Sequence, residues 1–530
     1  MESSRAYDVV IVGYGAAGAS AAIEAADAGA RVLVLDRGYG GGATALSGGV
    51  VYAGGGTPYQ RAAGVEDSPE EMYNYLRQEV DGMVGDKTVR RFCETSPAMI
   101  EWLERQGMEY RGTLCPYKTS YPTDEHYLYF SGNEKAWPYR LTAKPAPRGH
   151  RQVAKGMSSG RVFFENLRRS AEAKGVTFVP LSRVTEVLVE DGAVAGVRYR
   201  SMRTGSAGGR RHRRLTKAGG KLAIWVPPVG AKLNARAEAI WQESAAEAEV
   251  RAPAVILAGG GFVFNPEMKA RYAGGFRDIS PLGTAGDDGS VIMLGVTAGG
   301  ATAHLDRMTA WRFMSPPSAF LGGVSVGPAG VRIANEDLYG ATHSEAMIRN
   351  HGGRGFLVLD QEIWTRARGQ VRAQSLPFQL LQEIYLFTAG HKKAATLDAL
   401  ARKIGVPADG LAGTVRAYND GIRTGAGDPG HKAADLCAPI ERAPFYAIDI
   451  SIKNAPAYPA PGLTLGGLQV NEETGQVLTG SGASIEGLYA AGRSAVGICS
   501  NSYVSGLSLA DCVFSGRRAG GHAALSVVSG

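Results

Sequence analysis

Gly13-Tyr14-Gly15-Ala16-Ala17-Gly18 places three glycines at a spacing that lets a backbone turn sharply, approach a pyrophosphate closely and open a helix. The chemistry on offer is anion binding, because free N–H groups and the dipole at a helix N-terminus favour negative charge. Asp36, 23 positions after the first glycine, is suited to accept from ribose hydroxyls. Spacing alone would say little in a chain with 73 glycines among 530 residues, about twice the usual ~7%. The flanking elements decide the matter. The apolar run Asp8-Val9-Val10-Ile11-Val12 reads as a buried parallel strand, an alanine-rich helix follows to about Ala28, and Arg31 to Leu35 reads as a second strand ending at Asp36. Together they make one strand–helix–strand dinucleotide unit.

Further glycine turns recur along the chain. Gly40-Gly41-Gly42-Ala43-Thr44-Ala45-Leu46-Ser47-Gly48-Gly49 follows the acidic residue almost at once, which is unusual for a unit that binds only NAD. Gly487-Leu488-Tyr489-Ala490-Ala491-Gly492-Arg493 reads as a strand entering a turn, and Gly506-Leu507-Ser508-Leu509-Ala510-Asp511 opens a helix through Gly520. Five cysteines form no C-x-x-C pair or ligand-spaced cluster, so neither a zinc site nor a disulfide framework is expected. The net charge of +7 is matched by seven cations between Arg203 and Lys221, a segment with no acidic residue, so the basic balance belongs to one run and no nucleic-acid partner is expected. Without a signal-like N-terminus or a long apolar run, a cytoplasmic protein is expected.

These turns, with Ala258-Gly259-Gly260-Gly261-Phe262 and Thr284-Ala285-Gly286-Asp287-Asp288-Gly289, resemble the flavoproteins of the fumarate reductase and succinate dehydrogenase superfamily over nearly the whole chain. Within it the sequence is most similar to 3-ketosteroid dehydrogenases, particularly the Δ4-(5α) type. The shared stretches are Gly41 through Pro58, Ala146-Pro147-Arg148-Gly149-His150, Asn335-Glu336-Asp337-Leu338-Tyr339 and Tyr503-Val504-Ser505-Gly506. The resemblance implies an α/β Rossmann-like FAD-binding domain, discontinuous over 1–300 and 441–530, with an inserted α+β catalytic cap at 301–440. It implies an FAD site built from Gly13, Gly15, Ala16, Ala17, Gly18, Asp36, Arg37, Gly42, Ala43, Thr44, Ser47, Gly48, Gly49, Val184, Gly259, Gly260, Asp288, Gly492, Arg493, Gly506, Ser508 and Leu509. No histidine precedes His126, so the FAD is expected to be non-covalent. A second dinucleotide fingerprint is absent, and electrons are expected to pass to or from an external partner.

Dicarboxylate-handling relatives clamp their substrates with a histidine before a glycine pair and an arginine before the last flavin helix. Here those places read Leu463-Thr464-Leu465-Gly466-Gly467 and Ser502-Tyr503-Val504-Ser505-Gly506. Tyrosine cannot replace the bidentate charge of arginine, so fumarate and succinate are disfavoured and a neutral, steroid-like apolar ketone is expected. By resemblance Tyr503, Ser505 and Tyr339 are the catalytic residues. They would polarise the carbonyl and move the α-proton while the flavin takes the β-hydride. Which of Tyr503 and Ser505 contacts the oxygen stays open. The alternatives are an ene-reductase using the same site in reverse on another enone, and a flavin carrier without turnover. His304 is expected to be structural, Arg148 and His150 to sit in a loop that could border the entrance, and Ser500-Asn501-Ser502 to be able to trim the pocket.

Residues 203–250 interrupt the first FAD segment between a strand pair at Val184 to Tyr199 and the strand at Ala254. The run turns basic, then apolar at Leu222-Ala223-Ile224-Trp225-Val226-Pro227-Pro228, then helical through Trp241. It is expected to be a solvated surface insertion or, in a sharper form, a flap making peripheral membrane contact.

Overall fold

The structure is a computed structural model that describes residues 7–528 apart from 226, 277 and 454; the side chains of 221–227 also lie outside it, and with them the apolar stretch of the insertion. Five parallel strands run inward from one edge of a 9-stranded sheet, in the order Thr177–Pro180, Val32–Asp36, Val9–Val12, Ala254–Leu257 and Ser484–Ala490. The near-continuous Val, Ile and Leu content of the three inner strands is what a sheet covered on both faces requires. Parallel strands share one direction, so the turns at Gly13, Asp36, Gly259 and Gly492 all open at the same edge of the sheet, where ligands of such sheets bind.

Helix Ala16–Asp27 leaves that edge and packs against the C-terminal helix Leu507–Val528. The two backbones come so close that a Cβ on Gly516 would sit 2.3 Å from the Ala17 carbonyl oxygen, and one on Gly520 2.2 Å from that of Ala21. The alanine and glycine enrichment of both helices therefore serves this contact, which holds the N-terminus of the last helix beside the first glycine turn.

The cap is built on a 4-stranded antiparallel sheet ordered Val324–Val326, Phe356–Leu359, Phe445–Asp449, His391–Ala394. Helices Gln361–Gln374 and Ala408–Arg423 cover it, with Trp364 stacked on Tyr446 at 4.1 Å. The expected limits of 301–440 are therefore too narrow. Strand Phe445–Asp449 is central to the cap sheet, and Val263, Ala273, Ile279 and Ala460 share its core. A small sheet of Ser280–Pro281, Pro461–Thr464 and Met308–Ala310 joins the cap to the FAD domain.

The insertion is a helical hairpin, Ala207–Trp225 against Pro227–Ser244, antiparallel because Gly208 faces Ser244 while Gly219 faces Asn234. It is shorter than expected, since Ala246–Arg251 returns as a third strand beside Ala193–Ser201. Trp241 is not exposed. At 2% exposure it donates from Nε1 to the Leu181 carbonyl at 2.9 Å and carries the Arg183 guanidinium 3.7 Å above its ring. His212, on the other helix, meets the Tyr39 hydroxyl at 3.1 Å. The base of the hairpin is thus docked on the FAD domain, and Arg210, Arg211, Arg213, Arg214 and Lys217 face solvent.

Candidate active site

Gly13 adopts φ +103°, and a Cβ there would lie 2.5 Å from the Ala258 carbonyl oxygen, so the turn accepts no other residue. Gly15 differs. A Cβ on it meets only Thr44 Oγ1 at 3.4 Å and Gly41 O at 4.0 Å, so it would project into the groove between helix Ala16–Asp27 and the Gly42–Leu46 turn. Thr44 Oγ1 accepts from the Ala16 N–H at 2.9 Å and closes one side of that groove. Asp36 terminates its strand, accepting from the Tyr14 N–H at 2.8 Å and the Gly38 N–H at 2.7 Å while staying half-buried. Arg37 pairs with Asp288 at 2.5 Å across the groove, and Val184 packs half-buried at the sheet. Arg493 donates from Nη2 to Asp287 at 2.6 Å, but its Nη1 is buried with no partner among the described residues. A cradle open at Gly15 and an orphaned guanidinium N–H fit FAD, whose pyrophosphate and ring carbonyls need such donors.

The groove widens into a cavity of about 720 Å³ between the FAD domain and the cap. Ala43, Thr44, Ser47, Gly48, Gly49, Arg493, Gly506, Ser508 and Leu509 line one side of it, and Tyr339, Tyr503 and Ser505 line it as well. The volume lies within the range of small-molecule sites. Three hydroxyls far apart in sequence are thereby brought onto one space. The Tyr503 ring stacks on Trp311 at 4.8 Å and 7°, and the Tyr339 ring lies 6.2 Å from it. Burial first, then neighbouring Cys499, pushes the Tyr503 phenol well above its ordinary pKa against the opposing charge of Arg493. A neutral phenol at working pH is a hydrogen-bond donor.

Ser505 is held from beneath by residues that sequence reasoning missed. Its hydroxyl meets Tyr129 Oη at 2.9 Å, its carbonyl accepts from Ser131 Oγ at 2.9 Å, and its N–H donates to the Ser131 carbonyl at 3.1 Å. Gly506 bends the chain away at φ +92°, and a Cβ there would lie 2.8 Å from the Tyr52 nitrogen. Tyr129 stands opposite Gly149 in the small sheet that pairs Leu128–Tyr129 with Gly149–Arg151. The Ala146 to His150 motif is therefore scaffold. Arg148 forms a fully buried pair with Asp67 at 2.7 Å, and His150 is buried against Thr57 Oγ1 at 2.8 Å, so neither borders the entrance.

The Asn335 to Tyr339 motif has a comparable explanation. Glu336 accepts from the Ser325 N–H at 2.7 Å and pairs with Arg332 at 2.6 Å and Lys432 at 3.0 Å, while Asp337 accepts from the Ala433 N–H at 2.9 Å. These bonds anchor the loop, and Asn133 Oδ1 accepts from the Tyr339 N–H at 2.6 Å. Tyr339 is thus fixed just before helix Gly340–His351. Ser500, Asn501 and Ser502 do not line the cavity: Ser500 bonds the Leu465 carbonyl at 2.9 Å and Asn501 the Glu79 carbonyl at 2.9 Å.

The FAD binding domain family matches residues 8–506 of the chain. The chain belongs to this family of FAD-binding flavoproteins. Its fold is the Rossmann-like α/β domain with an α+β cap, and FAD is its cofactor. The flavoprotein is 39% identical over 498 residues to the 3-oxo-5-alpha-steroid 4-dehydrogenase of Comamonas testosteroni, covering 92% of this chain and 93% of that one. It is also similar to a crystal structure of the 3-ketosteroid-delta4-(5alpha)-dehydrogenase of Rhodococcus jostii RHA1 in complex with 4-androstene-3,17-dione, with a TM-score of 0.82 at 31% identity over 99% and 98% of the two chains. An open flavocytochrome c3 fumarate reductase shares the fold at TM-score 0.64 and 24% identity, over 99% of this chain and 79% of that one. Among the described residues of the flavoprotein, no helix is long and apolar enough to cross a membrane.

Proposed function

We propose that the chain is an FAD-dependent 3-ketosteroid dehydrogenase-like oxidoreductase, introducing a double bond beside the carbonyl of an apolar ketone. The observation that carries this reading is the cavity itself, where Tyr503, Ser505 and Tyr339 present hydroxyls between apolar walls and the lining cation, Arg493, is paired with Asp287 through Nη2, its remaining Nη1 being the donor that fits FAD. Such a lining suits a neutral carbonyl and leaves two carboxylates without their clamps. Tyr503, neutral and braced by Trp311, donates to the carbonyl oxygen and stabilises the charge that develops there. The Ser505 hydroxyl takes the α-proton as it gives up its own, with Tyr129 and Tyr339 hydrogen-bonded beside it, and the proton given up leaves to solvent. When bound, FAD supplies the acceptor for the hydride that leaves the β-carbon. An external electron acceptor then restores the oxidised protein, which we place in the cytoplasm.

The solvent-facing arginines of the hairpin suit electrostatic contact with anionic lipid headgroups, a route to a sparingly soluble substrate. Reversing Arg210, Arg211, Arg213 and Arg214 to Glu is expected to abolish binding to anionic vesicles at low salt. The main experiment is anaerobic mixing of the FAD-loaded protein with saturated and unsaturated 3-ketosteroids and with succinate. Bleaching of the flavin by a saturated 3-ketosteroid is expected. Faster bleaching by succinate would overturn the reading.

A further inference from the structure

The cavity wall contributed by the cap carries one carboxyl. Glu383, on helix Pro377–Thr388, lines the cavity at 1% exposure. Its Oε1 accepts from Ser375 Oγ at 2.5 Å, while Oε2 is buried with no hydrogen-bond partner among the described residues. The surrounding lining is largely apolar, with Phe378 reaching across to the Tyr121 ring at 6.3 Å. The carboxyl belongs to the cap wall of the cavity, on helix Pro377–Thr388, whereas Tyr503 and Ser505 stand on the wall that leads into the last flavin helix. A buried polar atom left without a partner is costly, so its retention in a ligand cavity calls for a ligand group that satisfies it.

Resting on the ketone dehydrogenase reading above, we infer that Glu383 is a specificity-determining residue that binds a hydroxyl group at the end of the substrate remote from the reacting ketone. The chemistry selects a hydroxyl over other groups. Burial pushes the Glu383 pKa up to about 7, opposed only by the Ser375 hydrogen bond, so acid and carboxylate coexist near neutrality. A ketone only accepts and satisfies the acid alone, whereas a hydroxyl accepts from the acid and donates to the carboxylate. An ammonium group would have to shed its hydration in an apolar cavity lined by a single carboxyl.

The test uses the oxidised FAD-loaded protein and two 4-ene-3-ketosteroids, one with a 17-hydroxyl and its 17-deoxy analogue. Both already hold the double bond, so binding is read from the flavin spectrum without turnover. The parent is expected to bind the hydroxyl probe about tenfold more tightly, the value of one net hydrogen bond. Glu383→Leu should bring the ratio to about one, and Glu383→Gln should keep a preference of a few fold. A general loss of packing would weaken both probes alike and leave the ratio unchanged. On the parent protein at pH 8.5, a 17-methoxy probe, which cannot donate, should lose the preference, a result independent of how the variants fold. Equal affinity of the parent for hydroxyl and deoxy probes, or an unchanged ratio in Glu383→Leu, would overturn the inference and leave the ketone reading standing. Failure of either probe to perturb the parent flavin would bring down both.

Discussion

Replacing Tyr503 with Phe should separate catalysis from stability, because its ring is packed while its oxygen is the group the proposed mechanism uses. The ring is stacked on Trp311 at 4.8 Å, and Phe retains that contact. Among the described residues the hydroxyl bonds to no protein group, so its removal should change stability by no more than about 0.5 kcal/mol. In the proposed mechanism it is the donor to the carbonyl, and loss of one such donor costs roughly 10²- to 10³-fold in rate. Ser505→Ala has the opposite balance. It strands the fully buried Tyr129 hydroxyl, 2.9 Å away, at a cost of about 1–3 kcal/mol, and it also slows proton transfer. The assay is anaerobic stopped-flow reduction of the flavin by a saturated 3-ketosteroid under single-turnover conditions, where product release cannot mask chemistry, alongside thermal unfolding of each variant. Tyr503→Phe reducing as fast as the parent, or unfolding at a lower temperature than Ser505→Ala, would refute the assignment.

Gly15→Val should fold but emerge colourless, because the new side chain fills the groove above Thr44, whereas heat should release FAD from the parent into the supernatant; a yellow variant, or flavin that stays with denatured parent, would contradict the cradle or the non-covalent site. Trp241→Ala should cost about 3–5 kcal/mol locally and speed amide exchange across 207–244 while FAD is retained, and unchanged exchange would mean the hairpin is not latched there. Glu336→Gln should cost about 3–5 kcal/mol by leaving the buried Lys432 without its carboxylate, while Arg332 keeps Asp428, measured as a lower unfolding temperature with loss of activity as the Tyr339 loop loosens. Burial works to raise the Glu336 pKa, but Lys432 and Arg332 outweigh it and hold it down to about 2 from 4.5. A depressed folded pKa means the contribution is full above about pH 4.5 and fades as pH falls towards 2, so the parent should lose stability across that window and the Gln variant should lose less.

The dinucleotide unit was legible because each of its requirements is local. The strand, the Gly13 turn, the helix and Asp36 are contiguous, and their spacing states the geometry directly. Tyr503 and Ser505 were reachable for the same reason, being two residues apart at the start of a glycine-led helix. The sequence also shows no cation at the two places where dicarboxylate-handling relatives carry one, Leu463 to Gly467 and Tyr503, which disfavours dicarboxylates without any knowledge of the fold.

Tertiary structure decided what touches what. Tyr129 supports Ser505 across 376 positions of sequence, and the Arg148 to His150 motif, which looked like an entrance, is the buried scaffold behind that tyrosine. Trp241 falls in an insertion that the sequence assigns to a solvated surface, yet the Leu181 carbonyl and Arg183 enclose it. The cap boundary was misplaced because strand Phe445–Asp449 belongs to its sheet through pairing with Phe356–Leu359, a partner no local pattern names. Glu383 gives no signal at all in sequence, since a Glu in an apolar helix is ordinarily turned to water. The FAD unit is thus written in neighbouring residues, because backbone turns and helix starts depend on the few residues that form them. The substrate cavity depends on distant segments meeting, and burial and hydrogen-bond pairing are properties of that meeting alone.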